Sequence, residues 1–88
     1  MIVSVKQKHI DNGDSGCTTC PIALAIQEQL GVIPQVFNDT VLLYVEQVLG
    51  EYELPDAARL FIRQFDGGSG WLQPFTFEVG KLIQAEAA

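Results

Sequence analysis

Basic residues are scarce in this chain. Five Lys and Arg stand against eleven Asp and Glu, giving a formal charge of −6 and a pI near 4.4. Lys6, Lys8, Arg59, Arg63 and Lys81 form no dense cluster. Nucleic-acid binding draws on Lys and Arg that release counterions from phosphates, so that class is excluded, and an anionic membrane surface is disfavoured on the same ground. Long apolar runs are missing as well. The longest, Ile22 to Ile26 and Val41 to Val45, are five residues, against the roughly 20 that cross a bilayer. The first residues, Met1-Ile2-Val3-Ser4-Val5-Lys6, place no basic region ahead of an apolar core, so the expected compartment is the cytoplasm. Histidine occurs once, at His9, and Ser4, Ser15 and Ser69 lie in no nucleophile-elbow context. Two cysteines are too few for a disulfide-built scaffold. The expectation is a protein without catalysis.

What is present is a globular composition. Of 88 residues, 48% are apolar and 18% charged, which argues against disorder and for a single domain over residues 1–88. Ile2, Val3 and Val5 alternate with Ser4 and Lys6 as a first strand. Gln7 to Asn12 reads as one helical turn ending at Gly13. Pro21 suits a first helical position, Ile22, Ala23, Ile26 and Leu30 make one stripe, and Gly31 stops the helix. Leu24 and Ala25 widen its apolar surface, so this helix is enclosed on several sides or meets a partner.

Residues 32–37 and 41–46 are rich in Val, Ile, Leu, Phe and Tyr, and Asn38-Asp39-Thr40 between them predicts a hairpin. A second turn is expected over residues 47–50 through Gly50, followed by a short edge strand Glu51 to Leu54 with Tyr52 and Leu54 on one face. Ala58, Phe61, Ile62 and Phe65 phase a second long helix opened by Pro55 and Asp56. Phe75, Phe77 and Val79 alternate with Thr76 and Glu78 as a last strand. Residues 81–88 read as a frayed tail or a short helix. The order β-α-β-β-(β)-α-β predicts an α+β fold: four to five mostly antiparallel strands in one sheet, two helices on one face, a ferredoxin-like split βαβ.

Cys17-Thr18-Thr19-Cys20 stands directly ahead of a helix. A thiolate there is favoured by unpaired N–H groups, which opens a thiol–disulfide redox reading. Two thiolates and His9 open a zinc reading that still needs a fourth ligand. The third reading is structural: small thiols packed at the loop-to-helix junction, with Thr18 or Thr19 helping to cap the helix. Trp71, beside Leu72, either fills the end of the core or anchors a partner. With Leu24 and Tyr52, these are the candidate partner-binding residues, and the apolar surplus around the first long helix and the short strand predicts a homodimer.

The segments His9-Ile10-Asp11-Asn12-Gly13 and Cys20-Pro21-Ile22-Ala23-Leu24-Ala25 resemble the start of a group of small bacteriophage- and prophage-encoded proteins of unassigned activity. Leu54-Pro55, Phe65-Asp66 and Pro74-Phe75-Thr76-Phe77 resemble its later landmarks. The resemblance implies a viral accessory role in the host cytoplasm, where small acidic proteins act by binding a host factor or a host defence component. It brings no catalytic residues with it.

Overall fold

Each apolar pattern meets its partner through a separate local device. A computed structural model describes residues 1–68, 70 and 72–86; Trp71 lies outside them. In chain order the elements are β1 (Ile2–Val5), α1 (Gln7–Asn12), α2 (Pro21–Leu30), β2 (Gln35–Val36), β3 (Thr40–Val45), β4 (Val48–Glu53), α3 (Asp56–Asp66), β5 (Phe75–Glu78) and β6 (Leu82–Glu86). The α+β class stands, with every strand pair antiparallel.

The strands divide between two sheets, β1-β5 and β2-β3-β4-β6, in place of the single split-βαβ sheet expected. Two contacts account for this. A split βαβ sets β1 antiparallel between the strand at 41–46 and the last strand, but both edges of β3 are taken, by β2 and β4, and β6 covers the remaining edge of β4, with Leu49↔Glu86 and Gly50↔Ala85 in register. The second edge of β1 is occupied by a side chain. Gln29 Nε2 donates to the Ser4 carbonyl at 3.1 Å, and Gln29 Oε1 accepts from the Ser4 N–H at 3.1 Å. A strand edge whose peptide groups are satisfied this way offers no template for a further strand. Residues 82–86 are therefore a paired strand, not a frayed tail or a helix, and β4 is central, not an edge.

The second hairpin turn also differs from expectation. Glu46 and Gln47 carry it, with φ of 52° and 68°, and Val45 pairs with Val48 across it. Two left-handed residues give the twist that joins right-twisted strands. Gly50 lies inside β4 and is buried. A Cβ there would stand 2.9 Å from Tyr52 Cε1 and 2.9 Å from Leu82 Cδ1, so glycine is what lets those two side chains close over the strand.

The core gathers Val3 and Val5 of β1, Ile22, Ala23, Ala25 and Ile26 of α2, and Val41 and Leu43 of β3. Val36 of β2, Leu54, Ala58, Phe61, Ile62, Phe77 and Val79 complete it. The phasing of α3 agrees with the sequence: Ala58, Phe61 and Ile62 are buried and Phe65 half-buried. Leu30 ends the α2 stripe in solvent. An aromatic column fastens α3 to β5, with ring centroids 6.2 Å apart for Phe61–Phe65, 4.8 Å for Phe61–Phe75 and 5.6 Å for Phe75–Phe77. The molecule is elongated, 41 × 22 × 20 Å. No helix among the described residues is long and apolar enough to cross a membrane.

Candidate functional site

The loop that carries the cysteines is closed on itself. Asp14 Oδ1 accepts from the Gly16 N–H at 2.8 Å and from the Thr19 hydroxyl, and the Asp14 N–H donates to the Thr19 carbonyl at 3.0 Å. These bonds, that of Thr19 foremost, hold the Asp14 carboxyl below its usual range. The Gly16 carbonyl accepts from Thr19 at 3.2 Å and from Cys20 at 2.9 Å, so residues 16–20 form one helical turn. Thr19 is thus spent on Asp14, and Cys20 itself caps α2: its Sγ accepts from the Ala23 N–H at 3.4 Å. The Cys17 carbonyl accepts from the Val36 N–H at 2.7 Å, which ties this turn to β2.

Both thiols are free, Cys17 exposed and Cys20 half-buried. They line one recess of about 200 Å³ with Val36, Phe37, Ile62 and Asp66. Burial pushes the Cys20 thiol up, against the opposing pull of the Ala23 and Ile22 N–H groups. That is the reverse of the shift an attacking catalytic thiol needs.

His9 serves a different junction. It is 4% exposed. Its Nδ1 accepts from the Lys6 N–H at 2.9 Å, so Nε2 carries the proton and donates to Glu28 Oε2 at 3.0 Å. Lys8 Nζ reaches the same carboxylate at 2.9 Å and Lys6 Nζ at 3.7 Å. Lys8, then His9, hold the Glu28 carboxyl down at about 2. With both ring nitrogens engaged, His9 faces Glu28 and not the cysteines. Among the described residues no three His, Cys, Asp or Glu side chains are grouped to hold a metal ion. The two motif segments meet at Gly13, where a Cβ would lie 2.7 Å from Pro21 N and Cδ.

The exposed apolar surface lies elsewhere. In β3, Val41 and Leu43 turn inward, while Thr40, Leu42 and Tyr44 share the outer face, opposite Glu53, Glu51 and Leu49 of β4. Ile33 is 63% exposed and Tyr44 54%. With Val32, Glu46 and Gln47 they line an open concavity of about 600 Å³. A second hollow of about 150 Å³ between Ile33, Leu42, Tyr44 and Leu49 carries the apolar surface across the sheet. Glu51, held by the Thr40 hydroxyl at 3.0 Å, adds charge to this face.

The candidate anchors read from sequence are scattered. Leu24 is half-buried on α2, and Tyr52 is half-buried against the core and packs over Gly50. Leu72 is half-buried and lines a shallow recess with Leu60, Phe61 and Phe75. Ile33 and Tyr44 were not singled out by sequence. Their signal is the unbroken run Val41 to Val45: a strand apolar on both faces has something to cover on each. No protein-family model, no curated protein and no solved structure matches this chain.

Proposed function

We propose that this chain works by binding another protein, without catalysis, and that the partner docks on the outer face of the four-stranded sheet around Ile33 and Tyr44. The observation that carries this is an apolar concavity of about 600 Å³ lined by two large exposed side chains. Contiguous exposed apolar surface with a polar rim is the usual mark of a protein contact, and a tyrosine beside it supplies the aromatic anchor that such contacts favour. Glu46 at the rim and Glu51 across the face, on a chain of charge −6, suit a partner with a basic border.

The resemblance to bacteriophage-encoded proteins makes the partner a host protein, a host factor or defence component met in the host cytoplasm. The test compares captured bacterial proteins between wild type, Ile33→Asp with Tyr44→Asp, and Leu60→Asp on the exposed side of α3. Loss of one stoichiometric partner in the sheet variant alone is expected. Capture that survives in the sheet variant sinks the assignment of this face. Insulin reduction by the wild-type protein would sink the non-catalytic reading. Sedimentation equilibrium of the same variants reads self-association: a dimer abolished by Tyr44→Asp makes the partner a second copy.

A further inference from the structure

We infer that Cys17 and Cys20 form a reversible intrachain disulfide that releases the cap of α2, making the turn a stoichiometric redox-responsive site. Three observations place the two thiols together. The Gly16 carbonyl holds both the Thr19 and Cys20 N–H groups, so the cysteines stand three apart on a single helical turn. Residues so spaced bring their Cα atoms within roughly 7 Å, the separation that a disulfide spans without backbone movement. Both side chains line the same recess, and both sulfurs are free. Exposure then assigns their order. Cys17 is open to solvent and is the entry thiol; Cys20, half-buried behind it, is the resolving one.

The chemistry needs only a small-molecule disulfide such as oxidised glutathione. Cys17 thiolate attacks one sulfur of it, forming a mixed disulfide and expelling one glutathione thiolate. Cys20 thiolate then attacks Cys17 Sγ, closing the intrachain bond and expelling the second. Two protein thiols are oxidised, one disulfide is reduced to two glutathiones, and the two thiol protons end on those glutathiones. The raised thiol of Cys20 slows the second step at neutral pH without blocking it.

The consequence is structural. A bonded Cys20 sulfur turns toward Cys17 and leaves the Ala23 N–H, one of the first donors of α2, without that partner. The Cys17 carbonyl carries Val36 of β2, so the same event reaches the edge of the larger sheet. This does not depend on the docking face, because neither Ile33 nor Tyr44 lines the cysteine recess.

The experiment uses the full chain in glutathione buffers of graded poise, quenched with an alkylating agent and read by intact mass. The expected course is two alkylated thiols at reducing poise, none at oxidising poise with the mass of two hydrogens lost per chain, and full reversal by reduced glutathione. Cys20→Ser is expected to stop at the Cys17 mixed disulfide. Wild-type protein that keeps both thiols, rests at the mixed disulfide, or bridges between chains overturns the proposal. Hydrogen exchange on wild-type protein reads the structural half even if a serine variant fails to fold. Faster exchange at Ala23 and Val36 in the oxidised form is expected, and unchanged protection at Ala23 overturns the link to the cap.

Discussion

The segment from Lys6 to Gln29 and the sheet from Gln35 to Glu86 are held by different means. In the first, individual side chains do the fastening. His9 bridges the start of α1 to Glu28, Gln29 closes the edge of β1, Cys20 caps α2, and Gly13 lets the ring of Pro21 approach. In the second, backbone ladders do most of it, and among the outward side chains Ile33 and Tyr44 stay exposed. Short recognisable motifs gather where single residues carry specific contacts. A ladder tolerates many side chains, so an exposed docking face can arise in a stretch with no motif at all. The segments His9 to Gly13 and Cys20 to Ala25 are therefore architecture of the first region, while the surface proposed to act lies in a stretch without such a segment.

The strongest way to break that contrast is to remove a contact that serves the whole body. Phe61 stacks between Phe65 and Phe75 at the centre of the aromatic column. Phe61→Ala is expected to cost about 3–5 kcal/mol, most of the stability of a small domain. Urea melts are the measure, and a loss below about 1 kcal/mol would put α3 outside the cooperative unit.

Gly13→Ala tests the motif-rich region directly. Its Cβ would press on Pro21 N, a backbone atom that cannot swing aside. A cost of about 1–3 kcal/mol is expected, as for other overpacked sites. If the same melts show no change, the two motif segments do not interlock as described.

The ladder region offers the opposite sign. Replacing Glu46-Gln47 with Asn-Gly relieves two residues of left-handed backbone at φ of 52° and 68°. A gain of about 1 kcal/mol is expected. Lower stability would show that the two side chains themselves hold the turn.

The smallest effect concerns acid. Glu28 falls from its ordinary 4.5 to about 2 in the folded protein. A carboxyl lowered by folding lends stability that is fully present above the unfolded value and is lost as pH falls from about 4.5 toward 2. Glu28→Gln is expected to flatten the acid limb over that window, modestly, because the pair with Lys8 is exposed and screened by salt. Parallel acid titrations by circular dichroism compare the two, and identical limbs would remove Glu28 from the acid response.

Elements whose signal is local could be read from sequence. Ala58, Phe61 and Ile62 phase α3 without any knowledge of what they meet, and Pro21 with Gly31 brackets α2. The capping role of Cys20 was within reach because its place ahead of Pro21 is itself a cap position, although sequence favoured a threonine for the bond. What escaped depends on pairing between distant segments. Leu82 to Glu86 has no strand pattern strong enough to announce itself, and only the free edge of β4 makes it one. The turn at Glu46-Gln47 contains none of the residues that normally mark left-handed backbone, so Gly50 drew the prediction away from it. The outer face of β3 is invisible for a related reason. In an unbroken apolar run, which side chains face out is fixed by register, and register is set by the partner strand.

The pairing of β1 with β5 has a consequence for how the chain is made. Val5 opposes Phe75, 70 positions away, and Ile2 opposes Glu78, 76 positions away. Synthesis delivers β1 well before its partner β5. Until β5 emerges, α2 is the element that packs most on β1, whose Val3 and Val5 end fully buried. Ser4 finds the side chain of Gln29 long before it finds Thr76. A strand held early by a helix side chain is kept from pairing with a neighbouring nascent chain. Closure of so long a loop is slowed by the chain entropy it must overcome. Stalling the ribosome before β5 has emerged leaves β1 bound on one edge only, and Gln29→Ala in that stalled chain removes the guard.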